Sequence, residues 1–138
     1  MKLATPRQRN VPKTTEVKIL RKVDITRDLM LVWIEKPEGF AFKAGQYCTI
    51  GRDKIERAYS IVSAPHEPEL EIFVELVPEP DGVLTPLMWA MKEGDQMSIR
   101  PRCKGIFTLD ERFHSHLMMA TVTGIAPFVS MLRSYFYR

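Results

Sequence analysis

The chain has 138 residues, of which 45% are hydrophobic and 27% are charged. This length and composition fit one globular domain with its own core, and they exclude low-complexity disorder and collagen-like repeats. The formal net charge is +3, from 20 basic and 17 acidic residues. That excess is too small for a dedicated nucleic-acid binder, so we expect no nucleic-acid partner.

The first 13 residues form a basic segment that differs from the rest of the chain. Two prolines and four basic side chains, with few apolar residues among them, predict an N-terminal arm over residues 1–13. No apolar run is long enough for a membrane helix, and the start lacks the apolar segment of a secretory signal. We expect a cytoplasmic protein without a membrane partner.

Short apolar segments separated by Pro and Gly follow from Thr14 onward. Residues 14–25 alternate polar and apolar side chains, which places Val17, Ile19 and Val23 on one face of a half-buried strand. Residues 29–35 predict a strand buried on both faces. Further strands are expected over 45–51, 58–63, 70–77 and 96–100. Strands at this spacing predict a mainly β antiparallel barrel or sandwich.

A single short helix interrupts the strands. Thr85 is a suitable helix cap, Pro86 suits the first helical position, and Gly94 follows the apolar segment after them. We therefore predict that the helix begins at residues 85–86 and ends before Gly94.

The last quarter of the chain has a different pattern. Residues 116–121 are apolar without alternation, which is typical of a parallel strand covered on both faces. After a short turn, apolar residues at helical spacing predict a helix: Phe128, Met131, Leu132 and Tyr135. Together they predict the opening β-α step of an α/β unit.

Three segments carry side chains suited to a phosphorylated aromatic ligand. Arg57 offers a planar cation for phosphate oxygens, Tyr59 an aromatic ring, and Ser60 a small hydroxyl. Gly82 comes just before the predicted helix, whose free N–H groups and dipole favour phosphate. A third segment, V-T-G-I-A-P at residues 122–127, lies before the last predicted helix. Taken singly, Arg57 and Tyr59 would also suit an ordinary strand edge and core.

Five motifs in order make the sequence resemble the ferredoxin–NADP reductase superfamily, and within it the bacterial ferredoxin or flavodoxin reductases. They are G-Q-Y-C-T-I-G, R-A-Y-S-I-V-S, D-G-V-L-T-P-L-M, E-G-D-Q-M and A-T-V-T-G-I-A-P-F-V-S-M-L-R. The resemblance implies a six-stranded antiparallel Greek-key barrel that binds FAD, over residues 14–115. Residues 116–138 would begin an NAD(P)-binding domain, whose remainder the chain lacks.

The resemblance also implies roles for individual residues. Arg57 would bind the FAD pyrophosphate, the Tyr59 ring would pack against the flavin or ribityl chain, and Ser60 would act catalytically through a hydrogen bond near flavin N5. Ala58 belongs to the same motif. Further cofactor contacts are implied for Phe73, Val83, Leu84, Thr85 and Thr123, and the nicotinamide nucleotide would meet Thr123 and Gly124.

The activity implied by the family is that of a ferredoxin–NADP(+) reductase. A hydride would pass between NADPH and FAD, and electrons would pass singly to ferredoxin or flavodoxin, acidic electron-transfer proteins. Two alternatives stay open: a reductase component of an oxygenase, and a flavin-binding electron-transfer subunit or non-catalytic adaptor. The apolar side of the last helix would also permit self-association.

The sequence departs from the family pattern at Val122, where a glycine is usual. A β-branched residue resists a positive φ and fills space near the ligand, which puts nicotinamide access in doubt. Elsewhere, the three histidines share no ligand spacing with a cysteine, so we expect no metal site. Cys48 is expected in the core. Cys103, among Arg100, Arg102 and Lys104, is a candidate for a lowered thiol pKa.

Overall fold

The structure is a computed structural model that describes residues 13–138, so the predicted arm, apart from Lys13, lies outside the described residues. Six strands and two helices follow in chain order: β1 (Thr15–Asp24), β2 (Leu29–Glu35), β3 (Tyr47–Arg52), β4 (Ile55–Ser60), β5 (Glu69–Glu75), α1 (Leu84–Ala90), β6 (Gln96–Ile99) and α2 (Ala126–Tyr137).

The six strands form one antiparallel sheet in the order β4-β3-β6-β1-β2-β5. β6 therefore lies between β3 and β1, although it comes last in the chain. The predicted mainly β fold with six antiparallel strands is confirmed. The sheet curves so that its two edges, β4 and β5, approach each other, but they meet at an isolated bridge between Ile61 and Ile72. We call the gap between β4 and β5 the seam.

Alternation along the strands explains the core. Val17 and Ile19 are buried as predicted, but Val23 is 41% exposed. The pairing of β1 with β2 changes register between Ile19 and Arg21. An irregularity of this kind inverts the faces that follow it, so Val23 turns outward.

The prediction that β2 is buried on both faces is wrong. Met30, Val32 and Ile34 are fully buried, whereas the side chains between them, Leu31 and Trp33, are half-buried. The strand alternates because its second face looks outward from the sheet.

Helix α1 begins one residue earlier than the predicted cap. Thr85 is the second helical residue, and its hydroxyl donates to the Val77 carbonyl at 3.0 Å and accepts from the Val77 N–H at 3.0 Å. Pro86 is the third residue of the helix instead of the first. Thr85 thus fastens the helix to the end of β5.

The other end of α1 is held by a lysine from the sheet. The Lys22 ammonium donates to the carbonyl oxygens of Met88, Trp89 and Met91 at 2.7–3.0 Å. These carbonyls lack intrahelical partners at a helix end, and a cation there also complements the helix dipole. The interaction ties the C-terminal end of α1 to β1.

The predicted strand over 116–121 is absent. Those residues have no regular structure, and Leu117 is 87% exposed. A parallel strand is stable only beside a neighbouring strand, and the described residues supply none for it. The helix predicted to follow is present as α2. No helix among residues 13–138 is long and apolar enough to cross a membrane.

Helix α2 packs back onto the barrel. Its buried residues include Met131 and Ser130, and the Ser130 hydroxyl donates to the Ser63 carbonyl at 2.8 Å. The Arg133 guanidinium donates to the Glu71 carboxylate at 2.5 Å, although the Glu71 side chain is only 6% exposed. These polar contacts fix the position of the helix on the sheet.

Candidate functional site

A cleft of about 480 Å³ opens at the seam, where β4, β5, the start of α1 and the turn before α2 meet. Its volume lies within the usual range for ligand pockets. Every residue predicted to contact the cofactor or the nicotinamide nucleotide lines this one cleft: Arg57, Ala58, Tyr59, Ser60, Phe73, Val83, Leu84, Thr85, Thr123 and Gly124. Their individual roles stay predictions.

The divergence of two strands creates the cleft. β4 and β5 are joined through the Ile61–Ile72 bridge and a hydrogen bond from the Val62 N–H to the Glu71 carbonyl at 2.8 Å. Beyond this point β4 (Ile55–Ser60) and the rest of β5 are not paired with each other. Edge strands present a row of free N–H and C=O groups, so the cleft walls combine side chains with backbone hydrogen-bonding groups.

Arg57 supplies a cation to the β4 wall. The side chain is exposed, and one guanidinium nitrogen donates to the neighbouring Glu56 carbonyl at 2.7 Å. It makes none of the ion pairs found in the described part of the chain, whereas Glu56 is paired with Arg100. The remaining N–H groups of Arg57 are therefore available for an anion in the cleft.

Tyr59 and Ser60 place an aromatic ring and a hydroxyl beside this cation. Tyr59 packs partly against the core. Burial raises the pKa of its phenol above the usual value, against the opposing effect of the Arg57 charge, so the phenol is neutral. The Ser60 hydroxyl has no hydrogen-bond partner among residues 13–138. Phe73, half-buried on β5, supplies a second ring from the other wall.

The loop before α1 is shaped by Gly82. Its N–H donates to the Pro78 carbonyl at 2.9 Å, so it is not free for a phosphate. A Cβ at Gly82 would lie 1.6 Å from the Val77 carbonyl oxygen. Glycine is therefore required for closing the loop. The free N–H groups at this end belong to Leu84 and Thr85, the first two helical residues.

The turn before α2 forms the far side of the cleft. Val122 begins the 3-10 turn Val122–Ile125 and has a φ of +46°, the left-handed conformation that favours glycine. Thr123 does not cap α2, since Ile125 precedes that helix. A Cβ at Gly124 would meet only the Ala120 Cβ at 3.8 Å. Protein packing thus leaves open space at Gly124, beside the cleft.

Sequence reasoning missed four residues that line the cleft: Glu75, Val77, Asp81 and Ala126. Glu75 could have been found, because it follows Phe73 by two positions on the same strand and so faces the same side. Asp81 begins the D-G-V-L-T-P-L-M motif, but its place in an irregular loop gave no indication that it lines the cleft.

The cysteines do not take part in the site. Cys48 is buried as expected. The suggestion of a lowered thiol pKa at Cys103 is wrong, because burial raises the pKa of that thiol to about 11. The neighbouring basic side chains do not offset the loss of solvent. Among residues 13–138 no three His, Cys, Asp or Glu side chains are grouped for a metal ion.

Comparison with known proteins gives consistent matches over most of the chain. The flavodoxin/ferredoxin–NADP reductase of Escherichia coli is 40% identical over 98 residues, which are 67% of this chain and 39% of the relative. Ferredoxin–NADP reductase A of Sorangium cellulosum is 32% identical over 129 residues, 89% of this chain and 46% of the relative. The chain thus spans less than half the length of these curated relatives.

A solved structure agrees with these relatives. The ferredoxin NADP+ reductase of Neisseria gonorrhoeae with bound FAD and NADP superposes with a TM-score of 0.80 and 38% identity, over 87% of this chain and 50% of that one. No model of a protein family matches the sequence. The sequence matches, the shared fold and the motifs at the seam show that the chain belongs to the ferredoxin–NADP reductase superfamily.

Proposed function

We propose that this chain is the FAD-binding part of a flavin-dependent reductase that passes electrons between NADPH and ferredoxin or flavodoxin. One observation carries the proposal: ten residues predicted from separate motifs line a single cleft at the seam. The relatives named above support the same activity. In this division residues 14–115 form the FAD domain, and residues 116–138 begin the domain for NADP(H).

The residues of the cleft fit FAD in charge and in shape. Arg57 forms no ion pair with any of residues 13–138, so its charge can meet a pyrophosphate, and the N–H groups of Leu84 and Thr85 at the start of α1 favour the same ligand group. The Tyr59 and Phe73 rings offer flat surfaces for an aromatic ring system. When bound, FAD would supply hydride acceptance and single-electron release.

The protein's own part is to bind and orient the ligand. Ser60 would direct its hydroxyl to a ring nitrogen, and the neutral Tyr59 ring would exclude water from one face. Thr123 and Gly124 would leave room for a nicotinamide nucleotide on the far side. We also infer a cytoplasmic location, which would keep Cys48 and Cys103 as the free thiols described here.

A second copy of the chain is a further proposed partner. The outer side of α2 carries Leu132, Tyr135 and Phe136, which are 42%, 54% and 77% exposed. Exposed apolar side chains in one stripe favour association. Analytical ultracentrifugation would show a dimer that Leu132→Glu disrupts, and a concentration-independent monomer would contradict this proposal.

The flavin site is tested by titrating the purified chain with FAD and following flavin fluorescence and visible absorption. Arg57→Ala should raise the Kd for FAD at least about tenfold, because a charge-assisted contact to phosphate contributes about 1.5–3 kcal/mol. Arg27→Ala, which removes an exposed arginine outside the cleft, should leave the Kd unchanged. A folded wild-type chain that never takes up FAD would refute the proposal.

A further inference from the structure

A carboxylate, that of Glu75, lines the wall of the cleft across from the strand that carries Arg57. The antiparallel register of the Ile61–Ile72 bridge, continued along both strands, brings Glu75 level with Ala58, one residue from Arg57. Glu75 is exposed and lies on the face of β5 that also carries Phe73. No ion pair joins Arg57 to Glu75 among the described residues, so the seam holds the two charges apart.

The charges of the cleft limit which ligands fit it. Its lining carries one cation, Arg57, and two carboxylates, Glu75 and Asp81. A ligand that presented only phosphate oxygens would be repelled by both acids. A ligand that offers hydroxyl donors next to its phosphate suits both walls of the cleft. Its phosphate can bind the cation, and its hydroxyls can donate to the carboxylates, which when ionised only accept hydrogen bonds.

Glu75 is better placed than Asp81 to select such a ligand. It belongs to β5, which is paired along its length with β2, through Leu29 opposite Glu75. Asp81 lies in the loop before α1. A side chain on a paired strand is held more precisely than one on a loop, which suits recognition of a defined pair of hydroxyls.

We propose that Glu75 is a specificity residue that accepts hydrogen bonds from sugar hydroxyls of the phosphorylated flavin, across the seam from Arg57. This inference rests on the proposed function. Two sources could supply the hydroxyls: the ribityl chain, present in FMN and FAD, and the adenosine ribose, present in FAD alone. Both have neighbouring hydroxyls that a single carboxylate can accept from.

The experiment compares FAD and FMN binding, by fluorescence titration, to the wild-type chain and to Glu75→Ala, Glu75→Gln and Glu69→Ala. Glu69 is the matched control, since it begins the same strand but does not line the cleft. Glu75→Ala should raise the Kd for FAD about tenfold, in line with a charge-assisted hydrogen bond. Glu75→Gln keeps one oxygen acceptor and should lose less. Circular dichroism confirms that each variant is folded.

The outcomes separate the two sources and the two proposals. Weaker binding of FMN as well as FAD assigns Glu75 to the ribityl hydroxyls, whereas weaker binding of FAD alone assigns it to the adenosine ribose. Unchanged or tighter binding of both flavins by Glu75→Ala overturns the inference. A carboxylate that accepts no hydrogen bond from the ligand would only repel its phosphate, so removing it would not weaken binding. If the folded wild-type chain binds neither flavin, the proposed function falls, and this inference falls with it.

Discussion

Val122 shows how one side chain can conflict with its backbone. It has a φ of +46° and is half-exposed, so little packing compensates for the conformation. A β-branched residue in the left-handed region costs about 1–3 kcal/mol. Glycine removes this strain but adds freedom to the unfolded chain. We expect Val122→Gly to raise the free energy of unfolding by about 1 kcal/mol, measured by urea denaturation.

A matched control for that substitution lies in the loop just before α1. Val83 is exposed to a similar degree, but its φ is −120°, which valine adopts without strain. Val83→Gly should therefore lower the free energy of unfolding, by roughly 0.5–1 kcal/mol. If both variants lose stability equally, the conformation of Val122 is not strained.

Cys103 gives a pH dependence at the residue scale. Burial raises the pKa of its thiol from 9.0 to about 11, so the folded chain keeps a proton that the unfolded chain loses. Between pH 9 and 11 the unfolded state binds fewer protons, and stability therefore falls as pH rises. We expect a lower urea midpoint at pH 10.5 than at pH 8.5, and a smaller decrease in Cys103→Ala. An equal decrease in both proteins would contradict this assignment.

The site residues were predictable from sequence where motif and strand register agree. Arg57, Tyr59 and Ser60 lie together because a single strand carries them, and the spacing of the motif fixes that strand. Asp81 was missed because it lies in an irregular loop. Alternation from Phe73 could have indicated the face of Glu75, but its place in the cleft depends on how the strands beyond the Ile61–Ile72 bridge separate. That separation is a property of the whole sheet and leaves no local pattern.

The secondary-structure elements also separate into those that local sequence predicts and those that depend on tertiary contacts. The strands and α2 follow from hydrophobic periodicity, which local sequence records. The strand expected over 116–121 failed, because a continuous apolar run indicates burial without showing whether a partner strand exists. Thr85 and Pro86 predict a helix start, yet the Thr85 hydroxyl does not cap the helix, because it is hydrogen-bonded to the backbone of Val77. A tertiary contact therefore moved the beginning of the helix.

At the element scale, Arg133 anchors α2 to β5. It pairs with Glu71, whose side chain is almost completely buried, and with Glu67 at 3.4 Å. Removing the cation leaves the Glu71 carboxylate buried without its partner, which is more costly than losing a surface pair. We expect Arg133→Met to lower the free energy of unfolding by about 2 kcal/mol, with the partial exposure of Arg133 taken into account.

Arg112→Ala is the control for the Arg133 variant. Arg112 pairs with Asp110 at 2.6 Å, but its side chain is 84% exposed. Exposed pairs contribute little, so stability should stay nearly unchanged. Replacing Glu71 together with Arg133 by apolar residues should restore part of the loss. A double variant less stable than Arg133→Met would mean that packing, and not the buried charge, explains the effect.

At the scale of the whole molecule, the seam is the weak point of the barrel. Neighbouring strands of the sheet are paired at two to seven positions each, whereas β4 and β5 meet at the single Ile61–Ile72 bridge. A ligand that spans the cleft would connect Arg57 on one wall with Phe73 on the other. A ligand that binds only the native state stabilises that state, by about 2.7 kcal/mol when the free ligand concentration is a hundred times the Kd.

Hydrogen exchange can locate that stabilisation. FAD should slow amide exchange along the facing edges of β4 and β5 and at the start of α1, because these backbone groups are free until a ligand covers them. Amides of β2, paired on both sides by β1 and β5, should change only by the global increase in stability. A cofactor held across the two strands requires extra protection at the edges of β4 and β5. Uniform protection across the sheet would instead mean that FAD stabilises the fold without closing the seam.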